Sequence, residues 1–71
     1  MATVAALGDS RELHGFALAG ARVVIAPDDE VVTAWRDLDD QVGLVVLTER
    51  AAELLGDELA TRPDVLTVVL P

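Results

Sequence analysis

The chain has no cysteine, no lysine and no tyrosine, and its 71 residues hold one histidine, one tryptophan and one phenylalanine. Without cysteine there is no disulfide framework and no thiolate metal site. Without lysine there is neither a Walker-type phosphate lysine nor a Schiff-base amine. Positive charge is also scarce, with five arginines against thirteen acids and a net charge of −8. A surface that acidic repels phosphate backbones and anionic lipid, which argues against nucleic-acid binding. The uncharged run Gln41–Thr48 falls far short of the ~20 residues that span a bilayer. Met1-Ala2-Thr3-Val4 has no basic n-region, so no signal peptide is expected. A soluble, cytoplasmic protein is the expectation.

What is present is apolar residue, at 52% of the chain. That is too much for a disordered polymer, and the length suits one small domain, residues 1–71. Four short apolar runs read as strands: Val4–Leu7, Val23–Ala26, Val42–Leu47 and Leu66–Leu70. Pro27 and Pro71 close the second and fourth. The middle runs are apolar at successive positions, as in strands buried on both faces of a parallel sheet.

Each gap carries helix signals. Asp9-Ser10-Arg11-Glu12 fits a capping box, with a helix to about Ala19 and Gly20 as its C′ residue. Asp28, Asp29 and Glu30 open a second helix at its positive dipole end. Val31, Ala34, Trp35 and Leu38 form its inward stripe. Thr48 caps a third helix, whose apolar face is Ala51, Ala52, Leu55 and Leu59. Gly56 falls inside that helix at a cost of ~1 kcal/mol relative to Ala. Pro63 prevents continuation.

The β-α-β-α-β-α-β pattern predicts an α/β fold, a three-layer receiver- or flavodoxin-like domain with a four-stranded parallel sheet of order 2-1-3-4. Right-handed crossovers then place helix one on one face and helices two and three on the other. A helix ~10 Å across covers about two strands spaced ~4.8 Å apart. Half of the first face, over strands three and four, is therefore expected to be bare and apolar, with strand four an unprotected edge. Such a patch marks an interface.

Chemical motifs are weak. Asp9, Asp28, Asp29 and Glu49 map to the carboxyl edge of the strands, where open parallel sheets bind ligands. A Mg²⁺-dependent site on Asp9, Asp28 and Glu49 would resemble that of a phospho-receiver. Such a site needs an Asp at the end of strand three and a nearby Lys, and strand three ends in Thr48. The plainer reading, helix capping, is favoured. Gly8, Gly15 and Gly20 lack dinucleotide spacing and suit turns. His14 has no Ser or Cys placed as a nucleophile partner and reads as a surface residue. Phe16 and Trp35 read as core or interface anchors. Arg50, beside Glu49, reads as a solvated charge or a partner contact.

Leu7-Gly8-Asp9, Gly15-Phe16-Ala17-Leu18-Ala19-Gly20, Leu47-Thr48-Glu49-Arg50 and the closing Val68-Val69-Leu70-Pro71 together resemble the F-subunit family of V-type (vacuolar/archaeal-type) rotary ATPases. The resemblance covers nearly the whole chain, and the Gly-Phe-Ala-Leu-Ala-Gly segment is its most specific part. It implies a receiver-like fold and a non-catalytic central-stalk subunit without cofactor or metal, peripheral to the membrane. The implied partners are a coiled-coil stalk subunit and, through it, the catalytic A/B subunits, so that ATP turnover is coupled to proton or other ion transport. Family members continue past the closing proline into a C-terminal helix, so the chain reads as a short form lacking it. Candidate contact residues are Leu44, Val46, Val68 and Leu70, with Glu49 and Arg50. The alternative is a degenerate receiver-like module that homodimerises or binds a signalling partner.

Overall fold

A computed structural model describes residues 3–9, 11–18 and 20–71, with Glu12 and Leu18 described by their backbone only. The strands are β1 (Thr3–Gly8), β2 (Arg22–Ile25), β3 (Val42–Leu47) and β4 (Leu66–Val69). All neighbours are parallel and the order is β2-β1-β3-β4, as the sequence pattern predicts. The helices are α1 (His14–Leu18), α2 (Val31–Arg36) and α3 (Glu49–Leu55). Each is shorter than a typical helix and is lengthened by a 3-10 segment: Arg11–Leu13 before α1, Asp28–Glu30 before α2, Gly56–Thr61 after α3.

The two sheet faces have separate cores. Ala5, Leu7, Val45 and Leu47 pack with Val31, Trp35 and Leu38 of the α2 region and with Ala51 and Leu55 of α3. On the other face Ala6 and Val46 pack with Leu13, flanked by Val4, Phe16, Val23 and Leu70. Helix one thus stands alone on its face, as handedness requires. A register shift between Thr3 and Val4 leaves Gly43 without a partner on β1. This bulge reverses the alternation, so Val42 joins the α2/α3 core while Leu44 points the other way with Val46.

Turn chemistry follows the sequence in two places. The Gly20 amide donates to the Ala17 carbonyl and the Ala21 amide to that of Phe16, the bond pair of a Schellman ending. Gly20 has φ +91°, which suits glycine. Ala19, the expected last helical residue, lies outside the described residues. So does the proposed capping box, because Ser10 and the Glu12 side chain are outside them too.

Gly56 is a correction. It does not sit within a helix but ends α3, with φ 47° and ψ −119°. That region is open to glycine alone, because a Cβ would crowd the following carbonyl. The chain then turns into the 3-10 segment, and Leu59 packs against the core.

Trp35 locks that segment down. Its ring is fully buried, and its indole N–H is shared between the Glu58 carbonyl (3.0 Å) and Thr61 Oγ1 (3.1 Å). The Arg62 guanidinium lies 5.9 Å from the ring centroid. It donates to the Arg36 and Leu38 carbonyls at 3.0 and 2.6 Å, satisfying the end of α2. Arg36 in turn holds Glu58 through a two-pronged ion pair. Truncating such a tryptophan costs ~3–5 kcal/mol, against a total of about 4–10 kcal/mol for a domain of this size.

Two outcomes follow from this packing. Gly56→Ala is expected to destabilise the protein by ~1–3 kcal/mol in urea unfolding, whereas a mid-helix glycine would give a gain. The hydrogen bond from Arg36 holds the Glu58 carboxyl below its ordinary value of 4.5. A lowered folded-state pKa stabilises above the unfolded value and is lost as pH falls through the folded one. The stability advantage of the native protein over Glu58→Gln should therefore be full above pH 4.5 and shrink on acidification below it. An advantage independent of pH in melts from pH 7 to 3 would contradict this.

Candidate functional site

Strand β4 is exposed along its whole length. Leu66, Val68 and Val69 are 72%, 49% and 46% exposed, large values for aliphatic side chains in a sheet. Alternation assigns them to faces. Leu70 packs on the core beneath α1, so Val68 and Leu66, two and four residues earlier, share its face. Their partners across the ladder are Val46 and Leu44. Val46 is buried and Leu44 half-buried. A contiguous aliphatic half-face of Leu44, Val46, Leu66, Val68 and Leu70 results, and among the described residues nothing covers its outer strand.

The reason is geometric. α1 and its leading 3-10 turn pack over β1 and β2, while α2 and α3 pack over β1 and β3 on the reverse side. β4 therefore lies outside the helical cover on both faces, which is more exposure than the sequence pattern implied. Val69 is bare on the reverse face for this reason.

The six candidate contact residues divide. Leu44, Val46, Val68 and Leu70 share one sheet face, where Val68 is exposed, Leu44 and Leu70 are half-buried and Val46 is buried with Leu13. Glu49 and Arg50 begin α3, which packs on the opposite face through Ala51 and Leu55. Arg50 Nε donates to Asp28 Oδ2 at 3.0 Å, and its Nη1 lies 3.6 Å from Glu53. Its guanidinium is accordingly tied to its own chain, and the pairing with Asp28 raises its pKa further. The sequence reading missed Leu66, the most exposed aliphatic side chain of this half-face. Counting back by two from Val68 finds it.

The carboxyl edge of the sheet is built from caps. Thr48 Oγ1 accepts from the Ala51 amide at 3.1 Å, as predicted. Gly8 is needed beside it, because a Cβ there would lie 2.5 Å from Thr48 Oγ1. The Gly-Asp and Thr-Glu segments are thus coupled across β1 and β3 by close packing. Asp28 faces Arg50, Asp9 and Glu49 are exposed, and no three acidic or histidine side chains among the described residues gather as metal donors. His14 is exposed. An open groove of about 470 Å³ lies between β2 and α2, lined by Val24, Ile25, Ala34 and Leu38 with Arg22, Glu30, Thr33 and Asp37.

Residues 4–71 match the family described as ATP synthase (F/14-kDa) subunit. The chain belongs to this family. No individual curated protein matches it significantly. Membership makes it one subunit of a multisubunit rotary ATP synthase assembly, and family and fold agree: the Gly-Asp and Thr-Glu segments that carried the resemblance form the packed edge just described. No helix among the described residues is long and apolar enough to cross a membrane.

For an F/14-kDa subunit that must meet other subunits, the bare half-face should be dispensable for folding. Leu66→Asp is expected to change urea-unfolding stability by less than ~0.5 kcal/mol. Val45→Asp on buried β3 should abolish folding, because its carboxylate would have no partner in the core.

Proposed function

We propose that this chain is a non-catalytic rotor subunit of a V-type ATPase or ATP synthase. It binds the coiled-coil stalk subunit and, through it, acts with the catalytic A/B subunits to couple ATP turnover to ion transport. The observation that carries this reading is the family match over residues 4–71. The bare aliphatic half-face supports it, since monomeric soluble proteins rarely expose such patches without an interaction to cover them. The proposed contacts are Leu44, Val46, Leu66, Val68 and Leu70. Glu49 and Arg50, across the sheet, remain secondary candidates for a neighbouring subunit. The protein works at the membrane-facing motor without entering the bilayer.

Native purification from source cells through a tag at Met1, with mass spectrometry of the recovered proteins, tests this. The expected outcome is recovery of a helical stalk protein together with nucleotide-binding ATPase subunits, and their loss with Val68→Asp. Recovery of the bait alone, or of a homodimer, would overturn the rotor reading in favour of a self-associating receiver-like module.

A further inference from the structure

The sheet ends in two edge strands, and they differ. β4 is bare on both faces, and residues 65–71 carry no charge, so nothing there selects an occupant. β2 is the other edge, and among the described residues no strand pairs with its outer side. On its α2 side lies the groove of about 470 Å³, with Val24, Ala34 and Leu38 as apolar lining and Arg22, Glu30 and Asp37 as charged lining. β2 runs towards the carboxyl edge of the sheet and α2 returns. Arg22 and Asp37 therefore share one end of the groove and carry opposite charge, while Glu30 stands at the other end beside exposed Asp29. Among the described residues, none of these four side chains is in an ion pair.

The backbone of this edge narrows the choice of occupant. The Ala26 amide donates to the Gly8 carbonyl and so points at β1. Backbone groups alternate in direction along a strand. Val24 therefore also faces β1, while Val23 and Ile25 turn their N–H and C=O groups outward. Two donors and two acceptors in line, ~7 Å apart, match an extended chain. Side chains of an added strand alternate, so those on the α2 side meet the groove. Its apolar lining takes an aliphatic side chain, and the Glu30 end takes a base. A second copy suits this edge poorly. Antiparallel pairing of two β2 strands about a two-fold axis puts both grooves on one side, where each copy offers the other only Arg22, Val24 and Ala26 and leaves the merged groove open. Each copy also brings a net charge of −8.

We propose that β2 is a docking edge for an extended, basic segment of another protein, which adds to the sheet as a fifth strand. One aliphatic side chain of the segment fills the groove against Val24, Ala34 and Leu38. A lysine or arginine two residues away reaches Glu30. This edge lies at the opposite end of the sheet from β4, and the docking holds whether or not the rotor reading does.

The probe is the palindromic peptide acetyl-Thr-Lys-Thr-Val-Thr-Val-Thr-Lys-Thr-amide, which presents the same side chains in either strand direction. It is titrated into the full-length protein, and amide hydrogen exchange is followed by NMR. The expected result is at least ~10-fold slower exchange of the Val23 and Ile25 amides at saturation, with those of β4 unchanged. Glu30→Lys, at an exposed position, should weaken the peptide at least ~10-fold, and so should glutamate in place of both peptide lysines. Ile25→Pro removes one outward donor at an edge that tolerates proline, and should weaken it at least ~10-fold as well. Leu66→Asp, on the other edge strand, should bind within ~2-fold of the parent. The exchange measurement carries the backbone claim without any variant. No binding at ~1 mM peptide would overturn the proposal. Binding weakened by Glu30→Lys but without protection of Val23 and Ile25 would be diffuse attraction to an acidic surface, and would also overturn it. So would protection of these amides that rises with protein concentration in the absence of peptide, since a second copy would then hold the edge. Recovery of the ATPase subunits, which decides the rotor reading, is a separate result from all of these.

Discussion

The handedness of the βαβ crossover governs this molecule. β1 lies between β2 on one side and β3 and β4 on the other. The first crossover runs one way and the next two run back, so right-handed connections place one helix on the first face and two on the second. Three short helices cannot cover four strands on two faces. The deficit falls on β4, the strand farthest from the reversal, and that geometry fixes where the molecule has surface to offer another chain.

Within that frame the polar interactions support packing. Thr48 caps α3 against Gly8, where even a methyl group would collide with the threonine side chain. Trp35 fills the α2/α3 core while its N–H ties down a segment that has left the α-helical path at Gly56. Arg62 and Arg36 then close the end of α2 and fasten Glu58. The acids that looked like ligand candidates at the carboxyl edge are exposed or, like Asp28, paired with arginine. The chemistry of the edge is that of helix starts, and the surface with no internal explanation is aliphatic. A family whose members are subunits of a rotary assembly gives such a surface a use.

Much of this was legible in the residues. Strand runs, strand order, the inward stripe Val31-Ala34-Trp35-Leu38, the Thr48 cap and the bare half-face over strands three and four all followed from hydrophobic pattern and crossover handedness. What was not legible depended on one backbone angle or on a contact distant in sequence. Gly56 reads identically whether it interrupts a helix or ends one. The bulge at Gly43, which turns Val42 into the α2/α3 core, has no signal of its own in Val42-Gly43-Leu44. Leu66, by contrast, was legible: the same two-residue alternation that picked out Val68 and Leu70 includes it.

The sequence by itself determined the α/β class and the sheet order, because hydrophobic period, capping residues and crossover handedness are local or nearly local rules, while the resemblance to the family rested on the Gly-Asp, Gly-Phe-Ala-Leu-Ala-Gly and Thr-Glu segments. It also placed the whole negative charge between residues 28 and 64. Crossover handedness already put α2 and α3, with their acids and with Glu49 and Arg50, across the sheet from the aliphatic half-face; only the tertiary structure decided that β4 is bare on both faces. Its bareness depends on how far each helix reaches. That is settled by packing between residues remote in the chain, such as Trp35 with Thr61 and Arg50 with Asp28.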